Sequence, residues 1–412
     1  MKIGYSDMRC GLIGEKLGHS FSKIIHQYLA DYPYELAELE KDQVGDFVRS
    51  GHFDAFNVTI PYKKTVIPYL DVLSPEAKKL GAVNTVVKKD GILTGYNTDY
   101  FGFSYMLERS KIEVKNKKAL ILGNGGAAAT VKAVLSGRGV RELVTLASKE
   151  NTPENIRRHG DSEIIVNATP VGMYPNNGST PVDLSFFPKC SGVLDLIYNP
   201  ALTRLLLDAR SADIPCTGGL SMLVAQAARA FELFTGDSAE DGICEKIIRE
   251  IENQTKNIIL IGMPGCGKTT VGKLIAKKLD RPFFDADGVF TQTYEKTPRD
   301  VIITDGEDAF REMEHKIAAE LGKKSGAVIS CGGGVVTRDY NYDVLHQNGT
   351  LVFLERALDK LSTKGRPISA ANGVEALYNS RIDAYIRFAD LRVSSTEIPE
   401  KTAELIIKKL GI

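Results

Sequence analysis

Two stretches of the chain hold residue types whose spacing can do chemistry. The stronger runs Gly262-Met263-Pro264-Gly265-Cys266-Gly267-Lys268-Thr269 and fits GxxxxGK[ST] in full. It follows the apolar run NIILI and precedes the helical pattern TTVGKLIAKKL. The backbone at Gly262, Gly265, Cys266 and Gly267 can turn successive N–H groups on one anion. Lys268 can reach the β- and γ-phosphates, Thr269 can ligand Mg²⁺, and Thr270 stands on the helix N-terminus. ATP or GTP is the implied ligand.

Downstream, Asp285 and Asp287 flank one alanine. On an extended segment both carboxylates would face one side, where they could place Mg²⁺ and accept from a substrate hydroxyl. The other reading is a helix N-cap beside a solvated acid. Arg311, the triplet Gly332-Gly333-Gly334, Arg366 and Arg381 follow. Arginine forks a carboxylate, and bare glycines let backbone approach a ligand closely. The set fits a kinase for a small anionic, hydroxylated metabolite.

The second stretch is Gly123-Asn124-Gly125-Gly126-Ala127-Ala128, a G-x-G-x-x-A turn after KALIL and before a helical pattern. A pyrophosphate can sit on such a helix N-terminus. After the next strand, ELVTLA, the acid expected of an NAD site is absent. Ser148 and Lys149 stand there instead, which leans toward NADP.

Upstream lie Ser20, Ser22, Asn57, Thr59, Lys63, Asn84, Asn97 and Asp99, which no helical or strand periodicity explains. Together they suit a polyol. Hydride transfer to a ketone leaves an alkoxide in need of a proton. Lys63 could donate it if desolvation and its neighbours tune it, with Asp99 orienting it. A surface salt bridge is the plainer reading of that pair.

The elements that must position these groups alternate along the chain. AFNVTI, KALILG, ELVTLA, EIIVNAT, GVLDLIY, NIILIG, AVISCG and TLVFLE read as buried parallel strands between helices. This predicts an α/β protein, and 412 residues predict two to four domains. Lys+Arg and Asp+Glu both total 52, so no basic excess points to nucleic acid. No stretch has the ~18 apolar residues needed to span a bilayer, so no membrane role is expected. The start has no long apolar run, and a cytoplasmic location is expected. The six cysteines form no CxxC pair, and reduced thiols are expected.

The upstream segments GHSFS, NVTIPYK, GAVNT and YNTD, with NATPVGM, DLIYNP and GGLSMLVAQA, closely resemble shikimate dehydrogenase over about residues 8–250. The resemblance implies Lys63 and Asp99 as the catalytic pair. It implies Ser20, Ser22, Asn57, Thr59, Asn84, Tyr198 and Gln226 on the substrate. Gly123, Asn124, Gly125, Gly126, Ala127, Ser148, Lys149, Asn167, Thr169, Met173 and Gly219 would line the NADP site. The family's Asn-Arg-Thr after the second cofactor strand is Ala147-Ser148-Lys149 here, so NADP against NAD stays open.

GMPGCGKT, DAD, FREME, GGG, Arg366-Pro367 and Arg381 resemble shikimate kinase over about residues 257–412. That likeness implies Asp287 on the substrate hydroxyls, Arg311 and Arg381 on its carboxylate, and the glycine triplet near its ring. Asp285 would join Thr269 at Mg²⁺, and Arg366 would act with Lys268 on the transferring phosphate. The lid TKGRPIS is shorter than usual.

The fold so implied is α/β: a substrate domain at 1–101 plus 221–250, a Rossmann domain at 102–220, a linker at 251–257, and a P-loop, nucleoside-monophosphate-kinase-like domain at 258–412. The implied chemistry is NADPH reduction of 3-dehydroshikimate, then ATP phosphorylation of shikimate. A shikimate or quinate dehydrogenase bearing a non-catalytic, ATP-sensing domain is the alternative. Oligomeric state is not legible.

Overall fold

The short apolar runs form strands because valine, isoleucine and leucine can be covered on both faces of a parallel sheet. KALIL and NIILI are buried at every position. The computed structural model describes residues 4–18, 20–361 and 373–412. Arg366 and Pro367 lie outside them.

The first sheet holds β1 (Cys10–Gly14), β2 (Tyr34–Glu38), β3 (Ala55–Val58), β4 (Val72–Leu73), β5 (Thr85–Lys89) and β6 (Ile92–Tyr96), in the order β2-β1-β3-β5-β6-β4. β5 runs antiparallel to both β3 and β6. The second sheet is parallel: β7 (Lys118–Leu122), β8 (Glu142–Leu146), β9 (Ile164–Asn167), β10 (Gly192–Asp195) and β11 (Cys216–Thr217), ordered β11-β10-β9-β7-β8. The third is also parallel: β12 (Asn257–Ile261), β13 (Phe283–Asp285), β14 (Val328–Ser330), β15 (Gly349–Glu355) and β16 (Leu391–Ser394), ordered β13-β14-β12-β15-β16.

In the second and third sheets the strand bearing the glycine turn is interior, with strands on both sides, and the chain leaves it for both sides. The carboxyl ends of β7 and β12 are therefore switch points, where an open α/β sheet leaves a crevice. The predicted turns emerge there: Gly123 after β7 and Gly262 after β12.

The chain divides into two units: residues 1–173, 179–199 and 208–249, and residues 174–178, 200–207 and 250–412. In the first unit, the helices Asp99–Ser110 and Leu220–Thr235 touch closely. A Cβ on Gly102 would lie 2.6 Å from the Met222 carbonyl oxygen. Absence of a side chain at that point sets the depth of the helix that starts at Asp99.

The segment 251–257, expected as a linker, carries regular structure and follows the division between the two units at 249/250. Ile243–Thr255 is one helix and Asn257 already begins β12. Ile247, Ile248 and Ile251 are buried at helical spacing, and no glycine or proline interrupts the run. No described helix is long and apolar enough to cross a membrane.

Candidate active sites

A cavity of about 320 Å³ in the first unit gathers residues far apart in sequence. Ser20, Ser22, Asn57, Thr59, Lys63, Asn84, Tyr198 and Gln226 all line it. Ser20 and Ser22 stand at the entry to the helix Ser22–Leu29, their hydroxyls 3.1 Å apart. Asn57 lies in β3, accepts from the Tyr34 hydroxyl at 2.7 Å and donates to Thr85 Oγ1 at 3.1 Å. Thr59 and Lys63 follow β3, and Tyr198 follows β10.

Lys63 Nζ donates to Asp99 Oδ2 at 2.7 Å. Asn84 Nδ2 donates to Asp99 Oδ1 at 2.9 Å, and its Oδ1 accepts from the Thr98 N–H at 2.8 Å. Asn97 Oδ1 accepts from the Asp99 N–H at 3.0 Å. The Asp99 side chain is 7% exposed against 28% for Lys63. The acid is thus the anchored member and the amine the one that meets the cavity. A surface salt bridge does not describe a pair set this deep.

The turn at Gly123 to Ala127 opens the helix Gly126–Gly137, capped by Gly125 in extended backbone. A Cβ built on Gly125 or Gly126 would meet nothing within 4 Å. That open face on a helix N-terminus fits a dinucleotide pyrophosphate. Asn167 is fully buried. It donates to Asp195 Oδ1 and the Val171 carbonyl, and accepts from Thr169 N–H and Oγ1. Its amide is spent on shaping the loop that carries Thr169 and Met173. Gly219 presses against β10's continuation, where a Cβ would sit 2.1 Å from the Leu196 carbonyl oxygen. Ser148 and Lys149 are exposed. Their turn also carries Glu150, whose Oε2 accepts from the Ala147 N–H at 2.8 Å.

The second unit has a cavity of about 750 Å³. The helix Lys268–Leu279 leaves the P-loop, and Lys268 Nζ donates to the carbonyls of Gly262 at 2.9 Å and Met263 at 3.1 Å. Thr269 Oγ1 donates to Asp285 Oδ2 at 2.7 Å. A hydroxyl and a carboxylate side by side are the hard oxygen donors that Mg²⁺ takes, with phosphate oxygens completing its shell. The described residues hold no cluster of three or more His, Cys, Asp or Glu around a common point.

Asp285 and Asp287 do not share one extended segment. Asp285 ends β13 and caps the helix Ala286–Tyr294, its Oδ1 accepting from the N–H groups of Asp287 and Gly288. The N-cap reading therefore holds for Asp285, because a carboxylate is the natural acceptor for the free amides of a helix start. Asp287 lies inside that helix, and both acids still line the cavity.

Arg311 and Arg381 line it too. Arg311 is 3% exposed, between Glu307 at 2.8 Å and Glu314 at 2.7 Å. Burial pushes the Glu314 carboxyl above its usual range, against the pull of Arg311. Arg381 Nη1 donates to the Gly333 carbonyl at 3.1 Å, and the Tyr385 hydroxyl donates to the same oxygen. The glycine triplet is sterically enforced. A Cβ on Gly334 would lie 2.2 Å from Arg311 Nη1, one on Gly332 2.6 Å from Glu314 Oε1, and one on Gly333 2.7 Å from Pro264 Cδ.

Sequence reasoning missed several lining residues. Lys16 and His26 line the first cavity; Arg299, Glu314 and Arg356 line the second. Only Glu314, the last residue of FREME, stands in a quoted motif, where attention fell on Arg311. His26 is 1% exposed and stacks on Tyr34 at 4.0 Å between ring centroids. Its Nδ1 lies 2.6 Å from the Tyr32 hydroxyl. Burial lowers its pKa to about 3, against a smaller upward effect of Asn57.

Comparisons with known proteins agree with this division. The shikimate dehydrogenase substrate-binding domain matches residues 12–86, and the shikimate 5'-dehydrogenase C-terminal domain matches residues 219–249. The shikimate kinase family matches residues 264–411. An NADP(+) shikimate dehydrogenase of Clostridium beijerinckii is 38% identical over 266 residues, which cover 60% of this chain and 98% of that protein. The crystal structure of shikimate dehydrogenase 1 from Peptoclostridium difficile is similar with a TM-score of 0.54 and 37% identity, covering 58% of this chain and 96% of the other. That of the Thermus thermophilus shikimate 5-dehydrogenase, in complex with NADP(H) and shikimate, has a TM-score of 0.54 and 30% identity, covering 59% and 99%.

Three outcomes are expected. Between pH 6.5 and 3 the unfolded chain binds a proton at His26 that the folded chain refuses. Stability therefore drops as pH is lowered through this window, by up to about 1.4 kcal/mol per unit from this residue. His26→Gln should flatten that part of the acid limb in urea titrations. Gly334→Ala should cost the second unit about 2–5 kcal/mol by driving Arg311 off Glu314. Gly125→Ala should leave stability within about 0.5 kcal/mol.

Proposed function

The chain belongs to the shikimate dehydrogenase family and continues into a shikimate kinase domain, and from that premise we propose two successive reactions on one ring acid. The first unit reduces 3-dehydroshikimate to shikimate with NADPH. The second phosphorylates shikimate to shikimate 3-phosphate with ATP and Mg²⁺. The observation that carries the reading is the 2.7 Å contact of Lys63 with Asp99 in a cavity lined by hydroxyls and amides.

In the first reaction the nicotinamide, when bound, supplies hydride to the ketone carbon. Lys63 hydrogen-bonds the ketone oxygen and gives it the proton as negative charge develops. Asp99 holds the Lys63 amine in line, and Asn84 holds Asp99. Ser20, Ser22, Asn57, Thr59, Tyr198 and Gln226 grip the ring acid. Gly123, Asn124, Gly125, Gly126 and Ala127 would hold the pyrophosphate, with Ser148 and Lys149 at the 2′-phosphate. Thr169, Met173 and Gly219 would flank the nicotinamide, while Asn167 shapes their loop. The substrate domain would be residues 1–101 plus 221–250, with the dinucleotide domain at 102–220.

In the second reaction ATP, when bound, supplies the phosphoryl group. Asp287 orients the attacking hydroxyl and receives its proton. Arg311 and Arg381 hold the carboxylate: the guanidinium of Arg311 keeps N–H donors beyond those given to Glu307 and Glu314. Lys268 stabilises charge on the phosphates, and Thr269 and Asp285 would hold Mg²⁺. Gly332, Gly333 and Gly334 would stand near the ring, and their missing Cβ atoms let Glu314, Pro264 and Arg311 pack against that loop. Such transfer rests on positioning and charge.

The test is incubation of the full chain with 3-dehydroshikimate, NADPH and Mg-ATP, following NADPH loss and shikimate 3-phosphate together. NADH in place of NADPH reads cofactor preference. Lys63→Ala should slow reduction roughly 10²–10⁴-fold and leave phosphorylation of added shikimate intact. Lys268→Ala should do the reverse. Loss of both activities in either variant would refute two independent sites. A wild-type chain that binds ATP without phosphorylating shikimate would instead make the second unit a sensor. Asp287→Asn should cut phosphoryl transfer at least tenfold with ADP affinity retained, as titration of a fluorescent ADP would show.

A further inference from the structure

We propose that Arg356 is a nucleotide-binding residue of the second unit, its guanidinium holding the phosphate chain at the P-loop from outside the loop itself. The inference rests on the ATP reading of that loop. Register explains how a residue 88 positions after Lys268 comes to it. β12 and β15 run parallel with Ile261 opposite Phe353. Gly262 therefore leaves the sheet beside Leu354, where a Cβ would stand 2.6 Å from the Leu354 carbonyl oxygen. Arg356 follows the last residue of β15, on the same carboxyl edge.

The side chain is half-buried and lines the cavity with Gly265, Gly267, Lys268 and Thr269. Its Nη1 lies 3.9 Å from the Cβ position of Gly267 and, chain neighbours aside, is the one atom within 4 Å of that position among the described residues. Gly267 is the N-cap of the helix Lys268–Leu279, so the guanidinium stands beside a helix N-terminus with free amides. Two positive partners on one point recruit an anion, not another cation.

The neighbouring charges leave Arg356 to that task. Glu355 accepts from Arg392 Nη2 at 2.6 Å. Glu397, which feels the charge of Arg356, is held by Lys360 at 2.6 Å. Within the cavity, Arg311 is committed to Glu307 and Glu314, and Arg381 to the Gly333 carbonyl. Among the described residues Lys268 is the cation that the P-loop itself supplies, and one ammonium is a small answer to a polyphosphate. A guanidinium adds a planar fork that matches phosphate oxygens.

The experiment titrates the full chain and its R356A and R356K variants with a fluorescent ADP, then displaces it with tripolyphosphate or adenosine. R356A should raise Kd for ADP about tenfold and weaken tripolyphosphate competition to a similar degree. Adenosine competition should be unchanged, and R356K should recover part of the loss. A folded R356A that binds ADP and tripolyphosphate as tightly as wild type would overturn the inference. So would a loss confined to adenosine, which would make Arg356 a base contact. R356A with a lowered Tm is judged through R356K: wild-type Tm and wild-type binding there, with equal salt dependence, sustain a charge role, whereas tenfold loss of all three ligands with a lowered Tm refutes it. A wild-type chain that binds no ADP would fail the P-loop reading itself, a result distinct from these.

Discussion

A carboxylate taken out of water must be met by donors, and much of the first unit serves that demand at Asp99. Its oxygens accept from Lys63 and Asn84, and its own N–H donates to Asn97. Those partners arrive from the loop after β3, the turn before β5 and the entry of the helix Asp99–Ser110. The helix sits at the required depth because Gly102 lets it touch the Met222 backbone. Removing any one support would leave a buried charge short of a partner, so the ion pair ties the sheet to the helical layer. The same arrangement leaves the ammonium, not the acid, toward the cavity.

The second unit inverts the logic. Its deepest charge is a cation: Arg311 is answered by Glu307 and Glu314, and Glu314 is itself held above its usual range by burial. The glycine triplet closes over this cluster without a side chain to spare. Arg311, Glu314 and Pro264 each occupy space that a Cβ would claim. The triplet is thereby packed against both Pro264 of the P-loop and the buried Arg311 cluster. The two halves share an economy of glycine at close approaches, and differ in which sign of charge is buried.

The local grammar of both sites was legible in the chain. A strand, a glycine turn and a helix are consecutive in sequence, so Gly123 to Ala127 and Gly262 to Thr269 could be read with their elements attached. The polar set from Ser20 to Asp99 was recognisable as more than surface, because no periodicity accounted for it. Two readings failed for local reasons. Asp285 and Asp287 looked like neighbours on a strand, but an aspartate at a strand end is also a helix cap, and the free amides of the helix decided. The expected linker follows buried isoleucines at helical spacing with no breaker between, so the helix from Ile243 runs on through it to Thr255.

By itself the chain determined the α/β pattern, the two glycine turns and the identities of most polar groups that line the first cavity. Those features depend on spacing along the backbone, which sequence carries directly. Only the tertiary structure decided that Lys63 meets Asp99 below the surface, that His26 and Lys16 line the first cavity, and that Arg356 overhangs the P-loop. Such meetings depend on sheet register and on helices touching where a side chain is missing, and these set distances between residues that share no local pattern.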